Sequence, residues 1–166
     1  MSVFPYNRRA AVAYARRWAL GRNPSFYDFS NIGGDCTNFA SQCLYAGSLV
    51  MNFTPVLGWY YLSVNNRTPS WTGVRFLYEF LVTNRTAAVF ARETDIGGIQ
   101  PGDIVQLGDA ESYFYHSPVI TEVGACPAPE NILVCAHSYD ALDRPLSTYE
   151  YAQARFLHIE GVYRQK

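Results

Sequence analysis

The chain is poor in charge, in lysine and in long apolar runs. Charged residues make up 16% of its 166 positions, and the formal net charge is -1. Bulk electrostatics therefore gives it no pull toward nucleic acid or an anionic membrane surface. Lysine occurs once, at Lys166, against twelve arginines, a bias that composition does not explain. No apolar stretch reaches the ~20 residues a spanning helix requires, so no membrane partner is expected. The opening segment Met1-Ser-Val-Phe-Pro-Tyr-Asn-Arg-Arg lacks an apolar core of signal-peptide type. The expected setting is the cytoplasm, or that of a mature or excised secreted domain. There is no Cys-x-x-Cys or His-x-x-x-His spacing, so no metal site is expected.

What is present reads as globular. Hydrophobic residues make up 49% of the chain and aromatics 16%, and the length suits one domain over 1–166. No linker, internal repeat or low-complexity run is visible. Four cysteines stand at Cys36, Cys43, Cys126 and Cys135. Cys126 and Cys135 flank a short loop and are the one plausible local disulfide pair.

Residues 6–20 predict a helix, with Val12, Tyr14, Ala15 and Trp18 near one face. A second helix is expected to start abruptly at Cys36, after Gly33-Gly34-Asp35, with Asp35 as N-cap and Gly47 as its stop. Residues 48–70 read as loop, and a third helix is expected from Thr72 to about Asn84. From about residue 96 the composition turns to strands, punctuated by Pro101-Gly102-Asp103. Helices first and strands afterward imply an α+β fold, with N-terminal helices packed on a C-terminal antiparallel β-sheet.

Cys36 is the candidate nucleophile. In the first turn of a helix, unpaired N–H groups and the helix dipole favour an anion and so a thiolate. Cys43, seven residues on, reads as a buried apolar residue. The bland alternative for Cys36 is the same. A thiolate needs a base, and only three histidines exist. His116 precedes the strand-like run Ser117–Val123, and His137 ends the run Ile132–Ala136. If these strands pair about residues 127–128, facing positions sum to about 255, and His116 and His137 should sit nearly opposite. Opposed residues are about 5 Å apart at Cβ, close enough for one imidazole to orient the other. His158 alternates within a strand and reads as a satisfied structural histidine. Asp103 is expected to fix a turn. Asp140 and Asp143 are alternative orienters, and Trp59, Tyr60, Tyr61 and Trp71 are candidates to line a cleft.

The run Gly34-Asp-Cys-Thr-Asn-Phe-Ala-Ser-Gln-Cys resembles the putative amidase domain family of bacterial proteins. So do upstream Tyr6-Asn-Arg-Arg-Ala-Ala-Val-Ala-Tyr-Ala and downstream Trp59-Tyr-Tyr and Pro69-Ser-Trp. Pro101-Gly-Asp-Ile-Val-Gln followed by Tyr115-His-Ser-Pro-Val-Ile is similar to a signature of the NlpC-type and CHAP cysteine amidases and peptidases, within the papain-like superfamily. Ala136-His-Ser-Tyr-Asp and Arg144-Pro-Leu-Ser are similar to the family's last motif. The resemblance implies a papain-like fold and a triad of Cys36 as nucleophile, His116 as base and His137 as orienter. It implies hydrolysis of peptide or isopeptide amides through a thioester, in peptidoglycan for example, with no cofactor. The loop before Cys36 holds no Gln for an oxyanion hole, so that task falls to the Cys36 N–H, with Asn31 or Asp35 nearby. Trp59 and Trp71 complete the candidate substrate-binding set. The alternatives are a non-catalytic peptide- or glycan-binding module with a papain-like cleft, and a cysteine acyltransferase.

Overall fold

The structure, a computed structural model, describes residues 1–165. Helix α1 (Arg8–Trp18) begins where the Asn7 side-chain carbonyl accepts the Ala10 N–H at 3.0 Å. Its buried stripe of Ala11 and Ala15, continued by Ala19, keeps side chains short and lets it lie close on α2 (Cys36–Ser48). Helix α2 is buried on nearly every side, as befits a helix in the core. It runs through Gly47, the residue expected to stop it. A Cβ at Gly47 would lie 2.3 Å from the Tyr6 ring, so glycine is required there for close approach. The helix ends instead at Leu49, in the left-handed region at φ 56°, whose N–H bonds the Tyr45 carbonyl at 2.8 Å.

The expected loop at 48–70 contains a small hairpin, β2 (Tyr61–Ser63) with β3 (Asn66–Arg67). The expected third helix is two helices, α3 (Pro69–Thr72) and α4 (Val74–Thr83), separated by extended backbone at Gly73.

The main sheet contains β1 (Ser2–Phe4), β4 (Ala88–Thr94), β5 (Ile104–Gly108), β6 (Phe114–His116), β7 (Val119–Val123), β8 (Ile132–Ala136), β9 (Ala141–Pro145) and β10 (Gln153–Arg164). Its order is β1-β10-β5-β7-β8-β9, with β4 also on β10 and β6 on β5, every pairing antiparallel. This is the expected α+β architecture, with N-terminal helices packed on a mainly antiparallel sheet. β1 and β4 depart from the simple order of helices before strands.

The two-residue period of the strands sorts their side chains into two cores. Ile104, Val119, Cys135 and Leu157 join Phe39, Cys43 and Leu44 of α2 in one core. Their chain neighbours Val105, Ile120, Val134 and Phe156 join Ile132 and Leu146 in the other. Asp103 ties helix to sheet. Its buried carboxylate accepts from Arg8 at 2.7 Å, Gln100 N–H at 2.8 Å, His158 Nδ1 at 2.8 Å and Ile159 N–H at 2.9 Å. His158 is thus a satisfied structural histidine, and Asp103 fixes the turn before β5. Among the described residues, no helix is long and apolar enough to cross a membrane.

Candidate active site

The chain reaches Cys36 through Gly33 and Gly34, both left-handed at φ 80° and 96°. Such angles strain any residue with a Cβ, so the glycines permit the abrupt entry into α2. Asp35 occupies the N-cap position, but its side chain makes no capping bond. Its Oδ1 accepts from Phe29 N–H at 2.8 Å and Asn38 Nδ2 at 2.9 Å. Its Oδ2 bonds His137 Nδ1 at 2.5 Å, with Arg22 Nε at 3.7 Å. The carboxylate therefore leaves the first-turn N–H groups uncovered.

The Cys36 side chain is buried, 8% exposed. Its sulfur lies 3.7 Å from Thr37 Oγ1, and the thiol is directed at the Tyr115 carbonyl 4.0 Å away. Burial pushes the thiol above its ordinary 9.0. Hydrogen bonds from the Thr37 hydroxyl and the Ser117 and Thr37 N–H groups pull the other way without overcoming it, and the Asp35 charge adds a small upward push.

His116 lies between the two residues whose main chain meets that sulfur. Its backbone pairs with Leu107 of β5, and its ring is tilted against Tyr149 at 5.6 Å. Tyr149 in turn carries the Arg144 guanidinium 3.8 Å over its ring. Burial, then the Arg144 charge, lowers the imidazole to about 4. At neutral pH the resting site thus holds a protonated thiol and a neutral imidazole.

The hairpin register expected for β7 and β8 is present, with Val119 opposite Cys135 and Val123 opposite Ile132. It does not extend to the histidines. Ser117-Pro118 separates β6 from β7, and β6 pairs with β5 instead of β8. His137 lies beyond the end of β8, stacked on Phe39 at 4.0 Å. Its Nδ1 bonds Asp35, and its Nε2 bonds the Trp18 carbonyl at 2.8 Å. Both ring nitrogens are committed, and none is left to orient His116. The alternative orienters are committed too. Asp140 pairs with Arg22 at 2.9 Å, and Asp143 accepts from Thr121 at 2.6 Å and Arg16 at 3.1 Å.

The expected substrate-binding residues divide. Asn31 is exposed on the turn before Gly33. Trp59 and Trp71 are fully buried and form core, not a cleft wall. Their indole N–H groups explain the polar residues on buried α2: Trp59 donates to Ser41 Oγ and Trp71 to Asn38 Oδ1, each at 3.0 Å. Asn38 then bonds Asp35, so Trp71 supports the approach to Cys36 from behind. Sequence reasoning missed Thr37, Ser117, Gln106, Arg144 and Tyr149. Thr37, Gln106, Ser117 and Arg144 lie within the motifs quoted for the family resemblance, which gave them no role, whereas nothing in the sequence marks Tyr149. All four cysteines are free thiols, with Cys126 exposed and Cys135 buried, so the one plausible local pair is not formed. Among the described residues, no cluster of three His, Cys, Asp or Glu side chains could hold a metal ion.

Comparison with known proteins adds a family. "Uncharacterized protein YhbB" of Bacillus subtilis (strain 168) is 29% identical over 141 residues, a match covering 84% of this chain and 43% of YhbB. The chain thus spans less than half the length of that relative. No solved structure matches significantly. The pattern of the putative amidase domain matches residues 5–160, which takes in α2 with Cys36 as well as the strands that bring His116 and His137. The chain belongs to the putative amidase domain family.

Proposed function

We propose that this protein is a cysteine-dependent hydrolase of peptide or isopeptide amides, with Cys36 as nucleophile and His116 as base. One observation carries the reading: at the start of α2 the Cys36 sulfur meets the main chain on both sides of His116, with the Tyr115 carbonyl at 4.0 Å. In this reading, substrate binding displaces water and the thiol proton passes to His116. The thiolate attacks the amide carbonyl, and the Cys36 N–H at the helix start holds the oxyanion. The His116 imidazolium protonates the departing amine, leaving a thioester. His116 then takes a proton from water, which attacks the thioester and releases the acid and the thiol. His137 acts on Cys36 only through Asp35, as part of the frame. Peptidoglycan cross-links and stem peptides are the substrates to try first, being rich in peptide and isopeptide amides.

The test joins labelling to turnover. Iodoacetamide should label Cys36 ahead of Cys43, Cys126 and Cys135. Hydrolysis of a panel of peptide and isopeptide amides, muropeptides included, should vanish in Cys36→Ser. Undiminished hydrolysis by that variant rejects the proposal. A product joined to an added amine would instead mark acyl transfer.

A further inference from the structure

Behind Cys36 a chain of buried polar groups runs toward the surface at Arg155, and its donor directions are fixed from that end. The Arg155 guanidinium lies between the Tyr78 and Phe114 rings, 3.7 and 3.9 Å from their centroids. Its Nε and Nη2 both donate to Gln106 Oε1, at 2.8 and 2.6 Å. A guanidinium has no acceptor, so the Gln106 amide can face only one way. Gln106 Nε2 therefore donates to the Val74 carbonyl at 2.9 Å and to Ser117 Oγ at 3.1 Å. Ser117 cannot donate back. Its other polar neighbour is Thr37 Oγ1, which donates to it at 3.3 Å. Thr37 Oγ1 is the hydroxyl 3.7 Å from the Cys36 sulfur. Gln106, Ser117 and Thr37 are all fully buried.

With the thiol protonated, S–H is directed at the Tyr115 carbonyl and Thr37 donates to Ser117. The Ser117 proton then has no acceptor among these partners. When the thiol proton has left for His116, both hydroxyls can turn. Ser117 donates to Thr37, Thr37 donates to the sulfur, and the Gln106 bond is unchanged. Every donor in the chain is then matched, and no further proton moves between residues. We propose that Gln106, Ser117 and Thr37 form a hydrogen-bond relay that stabilises the Cys36 thiolate, with Arg155 setting its polarity. Thr37 touches the reacting sulfur, whereas Ser117, Gln106 and Arg155 are positioning residues. The proposal rests on the reading of Cys36 as nucleophile.

The experiment measures the iodoacetamide rate at Cys36, by mass spectrometry of its peptide, as a function of pH. Thr37→Val and Ser117→Ala should each raise the midpoint by about one pH unit, slowing alkylation about tenfold at neutral pH, with the limiting alkaline rate unchanged. Thr37→Ser keeps the hydroxyl and should stay within about twofold of the parent. Gln106→Glu keeps a partner for Arg155 but presents an acceptor to Ser117, so it should raise the midpoint as well. Unmoved midpoints in Thr37→Val and Ser117→Ala, with both folded by thermal melting, overturn the relay, as does a change confined to the limiting rate. If Thr37→Val does not fold, Ser117→Ala and Thr37→Ser decide. Failure of the nucleophile reading shows separately, as hydrolysis that survives in Cys36→Ser.

Discussion

Two buried histidines, His116 and His137, receive opposite treatment from the fold. His137 bonds Asp35 through one nitrogen and the Trp18 carbonyl through the other, and stacks on Phe39. Both of its ring nitrogens thus have a partner. His116 has its ring against Tyr149, and no hydrogen bond enters the balance that lowers its proton affinity. Its ring nitrogens are not among the buried polar atoms left without a partner, so they keep contact with solvent. Packing and hydrogen bonding account for His137, whereas His116 is left for the role proposed above, between the two residues whose main chain meets the Cys36 sulfur. In the proposed mechanism the difference separates a frame residue from a working one, although the two looked alike in the strand pattern.

The comparison breaks if the two substitutions behave alike. His116→Gln should lower amide turnover about 10²- to 10⁴-fold, the usual range for loss of a general base. Its unfolding free energy should change by no more than about 1 kcal/mol, because little bonding is lost. His137→Ala should do the reverse. It removes the closest partner of the buried Asp35 carboxylate and leaves Arg22 at 3.7 Å, and should cost about 3–5 kcal/mol in denaturant unfolding. Equal stability losses in the two variants would remove the distinction.

A smaller effect sharpens it. His116 titrates at about 4 in the folded protein against 6.5 ordinarily, so between these values the unfolded chain binds the proton and the folded chain refuses it. Stability should fall as pH drops through that window, by about 3 kcal/mol in all, and the contribution should be flat above and below it. Subtracting the His116→Gln profile isolates this slope, and identical profiles would refute it. Arg144 supplies the second cause of the low value. In Arg144→Gln the acid limb of kcat/KM should therefore begin at higher pH than in the parent, a shift of a fraction of a unit that a pH–rate profile can resolve.

Much of this molecule was legible in the residues. The abrupt start of α2 at Cys36 followed from Gly-Gly-Asp, and the β7–β8 register from the spacing of two apolar runs about one loop. The structural roles of His158 and Asp103 were also readable. What misled were residues whose meaning lies with a distant neighbour. Gly47 looked like a helix stop because helix ends favour glycine, yet the Tyr6 ring demands it in mid-helix. Asp35 looked like a cap because its position is right, yet His137, Phe29 and Asn38 claim its oxygens. Trp59 and Trp71 looked like cleft residues, yet both are core.

The sequence by itself determined the class of fold, the helix that begins at Cys36 and the strand that follows His116, because capping, turn chemistry and two-residue alternation act over short stretches. Only the tertiary structure decided which histidine is free. Pro118 lies at the break between β6 and β7, and β6 turns to β5, while the end of β8 carries His137 to Asp35. It also joined Arg155 to Cys36 through Gln106, Ser117 and Thr37. Hydrogen bonds between residues far apart in the chain leave no periodic trace in sequence, because each is set by where whole elements come to rest.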